Sequence, residues 1–126
     1  MLKYSMIGLG GLIGAIGRYA VSGFVQRYFN SSFPAGTLVV NILGCFILGI
    51  VMHLIQHHGL FTQHTRMFIT VGILGAVTTF STFGHETLTL MDSGKVWFAI
   101  LSVAGNIILG ISAVWLGTAL MRATGQ

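Results

Sequence analysis

Charged side chains are scarce in this sequence of 126 residues, which contains six Lys or Arg and two Asp or Glu. Charged residues therefore make up 6% of the chain, against about 25% in an average soluble domain. A soluble fold needs polar groups over most of its exterior, so a soluble enzyme or soluble nucleic-acid-binding domain is excluded. The formal charge of +4 comes from cations scattered along the chain and does not indicate a nucleic-acid partner.

Residues that build disulfides, catalytic centres and metal sites are also few. Cys45 is the single cysteine, so no intrachain disulfide can form and the redox compartment is not indicated. His53 and His57 have the i, i+4 spacing of a metal-binding pair, with His58 and His64 nearby, but no cysteine or carboxylate joins them. The sequence has no nucleophile–base set, phosphate-binding loop or cofactor motif. It therefore does not predict an enzyme.

Long apolar runs are abundant instead, and four of them reach the roughly 20 residues that a membrane-spanning helix requires. They cover residues 4–25, 34–55, 67–90 and 96–121, with short connections at 26–33, 56–66 and 91–95. A cleaved signal peptide is the alternative for the first run, but Arg18 and five glycines make a poor signal core. We predict one all-α integral membrane domain over residues 1–126, with four transmembrane helices.

The six cations divide evenly between the two sides of this predicted bundle. Lys3, Arg66 and Arg122 belong to the side of the termini, and Arg27, Lys95 and the nearby Arg18 belong to the other side. Because the cytoplasmic side normally carries the excess of Lys and Arg, this balance favours insertion in both orientations. Two oppositely oriented copies would then form an antiparallel homodimer. The alternative is that another subunit dictates the topology.

Small residues at i, i+4 spacing indicate close helix packing, although they do not identify an interface. Gly10 and Gly14 have this spacing in the first run, and Ala113 and Gly117 have it in the fourth. Small side chains let helix backbones approach each other, which drives association in lipid.

The third run combines two glycines with a cluster of hydroxyl groups near its middle. Gly72 and Gly75 are followed by Thr78, Thr79, Ser81 and Thr82. Glycine and threonine are mediocre helix formers, so we expect this helix to be broken at the bilayer midplane. A break frees carbonyls that suit a cation and N–H groups that suit an anion. The alternative is a continuous helix whose hydroxyls bond back to its own backbone.

Two phenylalanines and two asparagines near the middle of the predicted spans are further candidates for contact with an ion. Phe80 and Phe83 are three residues apart on one helix face, and the positive edges of their rings could face an anion or simply fill the core. Asn41 could donate to an anion or form an interhelical hydrogen bond. Asn106 has the same two interpretations with less support.

Arg18 and Glu86 are the charges to explain inside the membrane. Arg18 lies about eight residues from the end of its run, roughly 12 Å deep, which is too far for easy snorkelling. We expect it to face a water-filled vestibule, where it would raise the local anion concentration. Glu86 is either its ion-pair partner or a wall of the vestibule.

The chain resembles the Fluc (CrcB) fluoride-channel family in its length, its number of spans and the order of three motifs. They are Gly-x-x-Gly-Ala-x-x-Arg-Tyr at residues 11–19, Gly-Thr-Leu-x-Val-Asn at 36–41, and Gly-x-x-Gly-x-x-Thr-Thr-Phe-Ser-Thr-Phe at 72–83. The resemblance implies a dual-topology homodimer with two antiparallel pores, through which fluoride leaves microbial cells passively across the cytoplasmic (inner) membrane.

The resemblance also implies roles for individual residues. Phe80 and Phe83 match the pore phenylalanines, and Asn41 matches the asparagine that contacts the ion. Ser81 and Thr82 fall on the pore segment, and Arg18 falls on the arginine of the first motif. The backbone carbonyls of Gly75 and Thr78 correspond to those that hold a central sodium ion. In the fourth helix Ser102 and Asn106 are followed by Gly110, which leaves a polar track there in doubt.

Passive conduction fits the sequence, since no titratable relay crosses the predicted midplane. The donors expected to replace fluoride's water are Asn41, the hydroxyls of Ser81 and Thr82, and the ring edges of Phe80 and Phe83. The main alternative is a small proton-coupled, dual-topology drug exporter. Such exporters need a carboxylate in the first helix, and residues 4–25 contain none. A lytic or purely structural oligomer would not need the midplane amide and hydroxyl groups.

Overall fold

The computed structural model describes residues 1–59 and 61–125, without the side chain of His58. Over those ranges it forms five helices: α1 (Leu2–Phe29), α2 (Ala35–His58), α3 (residues 63–77), α4 (Phe80–Asp92) and α5 (Val96–Ala123). Because α3 and α4 together make the span Gln63–Asp92, four helical spans are long and apolar enough to cross a membrane. The prediction of an all-α membrane protein with four such spans is confirmed. Residue 60 of the predicted connection 56–66 and residue 126 at the end of the predicted domain lie outside the described residues.

The ends of the helices follow from local sequence. Pro34 immediately precedes α2, where its missing N–H costs no helical hydrogen bond. Gly59 ends α2 with a left-handed φ of 57°, and Gly94 has a φ of 73° in the turn between α4 and α5. Thr62 caps α3, because its Oγ1 accepts the Thr65 N–H at 3.3 Å.

Small residues bring the helices together within one chain. Gly10 and Gly14 of α1 are buried against α3, where a Cβ on Gly10 would lie 2.5 Å from Phe68 O. Gly117 of α5 is equally buried, and a Cβ there would collide with Phe46 O of α2. Both glycine motifs noted in the sequence therefore contribute to packing inside the chain.

The third span is interrupted at Thr78 and Thr79, near its middle by residue number. Both residues are extended, with ψ values of 146° and 118°. The span is already irregular before this point, because Phe68–Leu74 forms a π-helix, which is wider than an α-helix. Thr79 then caps α4 through its Oγ1, which accepts the Thr82 N–H at 3.2 Å. The hydroxyl of Thr78 also bonds back to Leu74 O at 3.0 Å, so back-bonding and the break occur together.

Candidate functional site

The break opens onto a cleft of about 250 Å³, which we call the break cleft. Its walls come from α2, the interruption itself, α4 and α5. The lining residues are Asn41, Cys45, Thr78, Thr79, Phe80, Phe83, Asn106 and Ile107. The cleft is therefore mostly apolar with a few convergent polar groups, which is the usual composition of a small-ligand site.

Asn41 holds the interruption in place through the backbone of Thr79. Its Oδ1 accepts the Thr79 N–H at 2.8 Å, and its Nδ2 donates to the Thr79 carbonyl at 3.3 Å. The two residues are 38 positions apart, so α2 supplies the acceptor that the interrupted span no longer supplies to the Thr79 N–H. A single side-chain amide thus satisfies both backbone polar groups of Thr79.

Asn106 extends this network into α5. Asn41 Nδ2 donates to Asn106 Oδ1 at 2.7 Å, and Asn106 Nδ2 donates to Ser102 O at 2.9 Å. The Ser102 hydroxyl lies 3.4 Å from that of Thr87 on α4. A row of polar groups therefore runs from the break through Asn106 and Ser102 to α4, and Gly110 in the next turn of α5 adds no polar side chain to it.

Phe80 and Phe83 meet edge to face, with ring centroids 5.5 Å apart and planes inclined by 62°. Their environments differ strongly, since Phe83 is 9% exposed and Phe80 is 83% exposed in the single chain. Both line the break cleft together with Asn41. Their positive ring edges can face a negative charge there.

Ser81 and Thr82 lie outside the break cleft, on the neighbouring side of α4. The hydroxyls of Thr79 and Thr82 are 3.0 Å apart, and that of Ser81 lies 3.4 Å from Thr79 Oγ1. The five predicted pore residues therefore fall into two groups. Asn41, Phe80 and Phe83 line the cleft, and Ser81 and Thr82 belong to a separate hydroxyl cluster.

Arg18 contacts this hydroxyl cluster and the interruption. Its Nε donates to Ala76 O at 3.1 Å, and its Nη1 lies 3.5 Å from Thr82 Oγ1. The half-buried guanidinium thus bridges the end of α3 to the first turn of α4. A bridge between the two half-helices was not anticipated from the position of Arg18 in the sequence.

Glu86 is bonded to Thr37 rather than to Arg18. Its Oε1 accepts the hydroxyl of the buried Thr37 at 2.9 Å, and among the described residues no donor reaches Oε2. Glu86 also lines a second cleft of about 290 Å³, together with Gln26 and His85. Of the two alternatives for Glu86, the structure therefore favours a cavity wall over an ion pair with Arg18.

Two backbone carbonyls at the interruption lose the donors that a continuous helix would provide. Gly75 O would accept the Thr79 N–H, which instead bonds to Asn41, and Thr78 O would accept the Thr82 N–H, which bonds to Thr79 Oγ1. Ala76 O, between them, receives Arg18 instead. Carbonyl oxygens with free lone pairs are suitable ligands for a hard cation, so Gly75 and Thr78 fit a sodium ion.

Asn106 has more contacts in the site than its position in the sequence indicated, and Cys45 and Thr87 were not predicted to belong to it. Asn106 lies in the π-helical turns Gly105–Leu109, and such irregular turns are frequent at functional sites. The i, i+4 spacing of Ser102 and Asn106 was visible in the sequence. What could not be read was that this face of α5 meets Asn41.

Comparison with known proteins shows the family to which the chain belongs. The profile of the CrcB family, described as "CrcB-like protein, Camphor Resistance (CrcB)", matches residues 5–118. "Fluoride-specific ion channel FluC 1" of Methanosarcina acetivorans is 48% identical over 117 residues, which are 93% of this chain and 88% of the relative. "Fluoride-specific ion channel FluC" of Clostridium novyi is 41% identical over 91% of this chain and 90% of its own. The FluC of Vibrio parahaemolyticus is 42% identical over 96% and 98%. With near-complete coverage at this identity, the chain belongs to the CrcB family.

Proposed function

We propose that this protein is a fluoride-selective channel that conducts passively across the cytoplasmic membrane. The observation that carries the proposal is the break cleft, where two amide side chains and two phenylalanines line one space at an interrupted membrane span. The relatives named as fluoride-specific ion channels support the choice of ion. Fluoride is small and strongly hydrated, so donors and positive edges at close range are needed to replace its water.

Passive conduction fits the chemistry of the cleft better than coupled transport does. Among the described residues that line it, none is Asp, Glu, His, Lys or Arg. A proton-coupled drug exporter needs a carboxylate that exchanges a proton for the drug, and residues 4–25 of the first span contain no Asp or Glu. Fluoride would leave the cell down its own electrochemical gradient.

We further propose that the working unit is an antiparallel homodimer with two pores. The equal division of the six cations supports insertion in both orientations. Exposure supports a second copy: the ring of Phe80 is 83% exposed, and Gly75 at the interruption is also exposed in the single chain. A carbonyl without a donor is tolerated within a bilayer only when protein, water or an ion covers it.

A sodium ion at the two-fold axis of this dimer would satisfy those carbonyls. The ligands would be Gly75 O and Thr78 O of each copy, whose helical donors are engaged elsewhere. When bound, the ion supplies a fixed positive charge that balances the carbonyl dipoles. The chain contributes the interrupted backbone, which Asn41 and Arg18 hold in shape.

The polar groups outside the break cleft would serve the approach of the ion. Arg18 provides positive charge beside the hydroxyls of Ser81 and Thr82, and we assign these three residues to the pore and its vestibule. Glu86 forms part of the vestibule wall through its bond to Thr37. A cation without a paired carboxylate raises the local concentration of anions.

Fluoride efflux from liposomes tests the proposed function. Purified protein is reconstituted into vesicles loaded with potassium fluoride, and valinomycin clamps the membrane potential. We expect electrogenic fluoride release, and we expect no comparable release from matched vesicles loaded with potassium chloride. Vesicles that retain their fluoride would contradict the proposal.

Cysteine accessibility tests the dual topology. In a Cys45→Ser background, Ser93→Cys places a thiol in the exposed turn between α4 and α5. An impermeant maleimide added to intact cells should label about half of the copies, because half would face each way. Labelling of all copies or of none would show a single orientation.

A further inference from the structure

The connection between α1 and α2 is held in one shape by the side chain of Gln26. Its Nε2 donates to Ser31 O at 2.7 Å and to Phe33 O at 3.1 Å, and its Oε1 accepts the Gly36 N–H at 3.2 Å. Within the connection, the Ser31 hydroxyl accepts the Phe33 N–H at 3.1 Å. These bonds satisfy backbone groups that would otherwise need water, so a short polar connection presents an ordered surface.

A polar pocket of about 410 Å³ lies on this connection, and we call it the rim pocket. Its lining residues are Gln26, Arg27, Asn30, Ser31 and Ser32. None of them is Asp or Glu, so the only formal charge in the lining is the positive charge of Arg27. Within the described part of the chain, the Arg27 guanidinium has neither a hydrogen bond nor an ion pair. A cation that the protein itself does not neutralise attracts anions.

Lys95 brings a second positive charge to the rim pocket. Its Nζ donates to Ser32 Oγ at 2.6 Å, although the two residues are 63 positions apart. An ammonium group has three N–H donors, so two remain after this bond. The same two parts of the chain also meet through Phe33 and Phe98, whose rings pack edge to face with centroids 5.9 Å apart. Two cations from different parts of the chain thus lie beside one set of hydroxyl groups.

The rim pocket lies at the level where the lipid headgroups are expected. Because α1 ends at Phe29 and α5 begins at Val96, the pocket is just beyond the apolar part of two membrane spans. Tyr28, Phe29 and Trp97 are exposed at this level. Exposed aromatic side chains at the ends of spans typically mark the boundary between hydrocarbon and headgroups. Phospholipid phosphates are therefore the anions nearest to this pocket in a bilayer.

We propose that the rim pocket binds the phosphate of an anionic phospholipid between Arg27 and Lys95. Guanidinium, ammonium and hydroxyl groups are the usual donors to phosphate oxygens, and basic pockets between membrane helices bind anionic headgroups. The Ser31 hydroxyl accepts from Phe33 and keeps its own hydrogen for such a contact. Phosphatidylcholine has the same phosphate, but its choline cation is repelled by the two basic residues.

Lipid binding at the rim pocket is separate from contact with the conducted ion. The rim pocket shares no lining residue with the break cleft, and it borders the Glu86 cleft through Gln26 and Ser32. In the proposed antiparallel dimer, the two copies would present one rim pocket to each leaflet. Lipid binding can be measured whether or not the protein conducts fluoride, so the failure of one proposal leaves the other standing.

Native mass spectrometry of the full-length protein tests the inference. The protein in detergent is titrated with phosphatidylglycerol or with phosphatidylcholine of the same acyl chains, and the mass increments count the bound lipids. We expect phosphatidylglycerol to bind more tightly than phosphatidylcholine. Equal affinity for the two lipids would overturn the inference.

Two matched double variants locate the binding. Each basic residue close to an anionic lipid strengthens binding about fivefold, so Arg27→Gln with Lys95→Gln should weaken phosphatidylglycerol binding roughly 30-fold. Lys3→Gln with Arg122→Gln removes the same charge from exposed residues outside the rim pocket and should bind like the wild type. Equal losses in both variants would show unspecific attraction to positive charge and contradict the rim pocket.

Single variants keep the test decisive if the first double variant does not fold. Arg27 is exposed, so Arg27→Gln should fold and should bind phosphatidylglycerol about fivefold more weakly. Arg27→Lys retains the charge and should retain the lipid. Unchanged binding in Arg27→Gln would overturn the inference.

Free phosphate is the other source of the same ligand chemistry. Sodium phosphate should not displace bound phosphatidylglycerol, because only the lipid has acyl chains that also contact the apolar span ends. Displacement by sodium phosphate at concentrations at which phosphatidylglycerol itself competes would show a site for free phosphate, and the assignment to a lipid would be wrong.

Discussion

The side-chain amide of Asn41 is bonded to both backbone polar groups of Thr79, accepting from its N–H at 2.8 Å and donating to its carbonyl at 3.3 Å. The first of these bonds replaces the helical bond that the Thr79 N–H loses where the third span is interrupted. The second adds to the bond that the carbonyl of an N-cap residue accepts from its own helix. In a membrane, backbone groups without such partners are costly, so the interruption depends on a residue from another helix.

Asn41→Leu should destabilise the fold, because it removes three hydrogen bonds at once. Interhelical hydrogen bonds in membrane proteins contribute about 0.6 kcal/mol each, so we expect the free energy of unfolding to fall by roughly 2 kcal/mol. Unfolding in sodium dodecyl sulfate, followed by circular dichroism, measures the change. Asn30→Gly is the matched control, because Asn30 is exposed and has the left-handed φ of 41° that glycine adopts easily. Equal stability of the two variants would contradict the role of Asn41.

The sequence was sufficient to predict the spans and the region of the interruption, and insufficient to predict its partners. Four spans follow from the length of the apolar runs, and weak helix propensity near Gly75 and Thr78 indicated the break. The direction in which each helix face points is a property of packing. Spacing in the sequence therefore could not reveal that Asn41 meets Asn106, or that Thr82 belongs with Arg18 outside the break cleft.

Alanine at Gly117 should disturb the packing of α5 on α2. A Cβ at this position would collide with Phe46 O, and overpacking of this kind costs typically 1–3 kcal/mol. Gly23→Ala is the control, because no atom lies within 4 Å of the Cβ it would add. Detergent unfolding should show a loss of stability for Gly117→Ala and no loss for Gly23→Ala. The reverse order would contradict the observed helix contact.

Removal of sodium should lower the thermal stability of the proposed dimer. A ligand that binds only the folded state at 100 times its dissociation constant adds about 2.7 kcal/mol of stability. We expect the midpoint of unfolding to fall when sodium chloride is replaced by choline chloride at constant ionic strength. Thr78→Val keeps the carbonyl and changes only the hydroxyl, so this variant should retain the dependence on sodium. A midpoint of unfolding that does not depend on sodium in the wild-type chain would contradict the proposed sodium site.

Phe80→Ile should stop fluoride conduction while the proposed dimer remains assembled. Phe80 lines the break cleft, where we expect its ring to present an electropositive edge, and isoleucine offers no equivalent group. Folding of the chain should be preserved, since Phe80 is 83% exposed in the single copy. Flux from liposomes and the elution volume in detergent measure the two properties separately. The control is Phe24→Ile on α1, which should conduct normally, and unchanged flux in Phe80→Ile would exclude the ring-edge role.

Arg18 should require its guanidinium group and not merely its positive charge. Nε bonds Ala76 O at 3.1 Å and Nη1 lies 3.5 Å from Thr82 Oγ1, so one side chain joins the two half-helices. The single ammonium group of lysine cannot reproduce this planar fork. We expect both Arg18→Lys and Arg18→Gln to reduce fluoride flux by roughly 10-fold or more, on the scale of a lost charge-assisted hydrogen bond.

Arg27→Lys is the matched control for this experiment, because Arg27 is an exposed cation in the last turn of the same helix. The fluoride flux of this variant should equal that of the wild type. If Arg18→Lys conducts normally while Arg18→Gln does not, positive charge alone is sufficient at this position. Arg18 would then serve to concentrate anions in the vestibule, and the bridge between α3 and α4 would be dispensable for conduction.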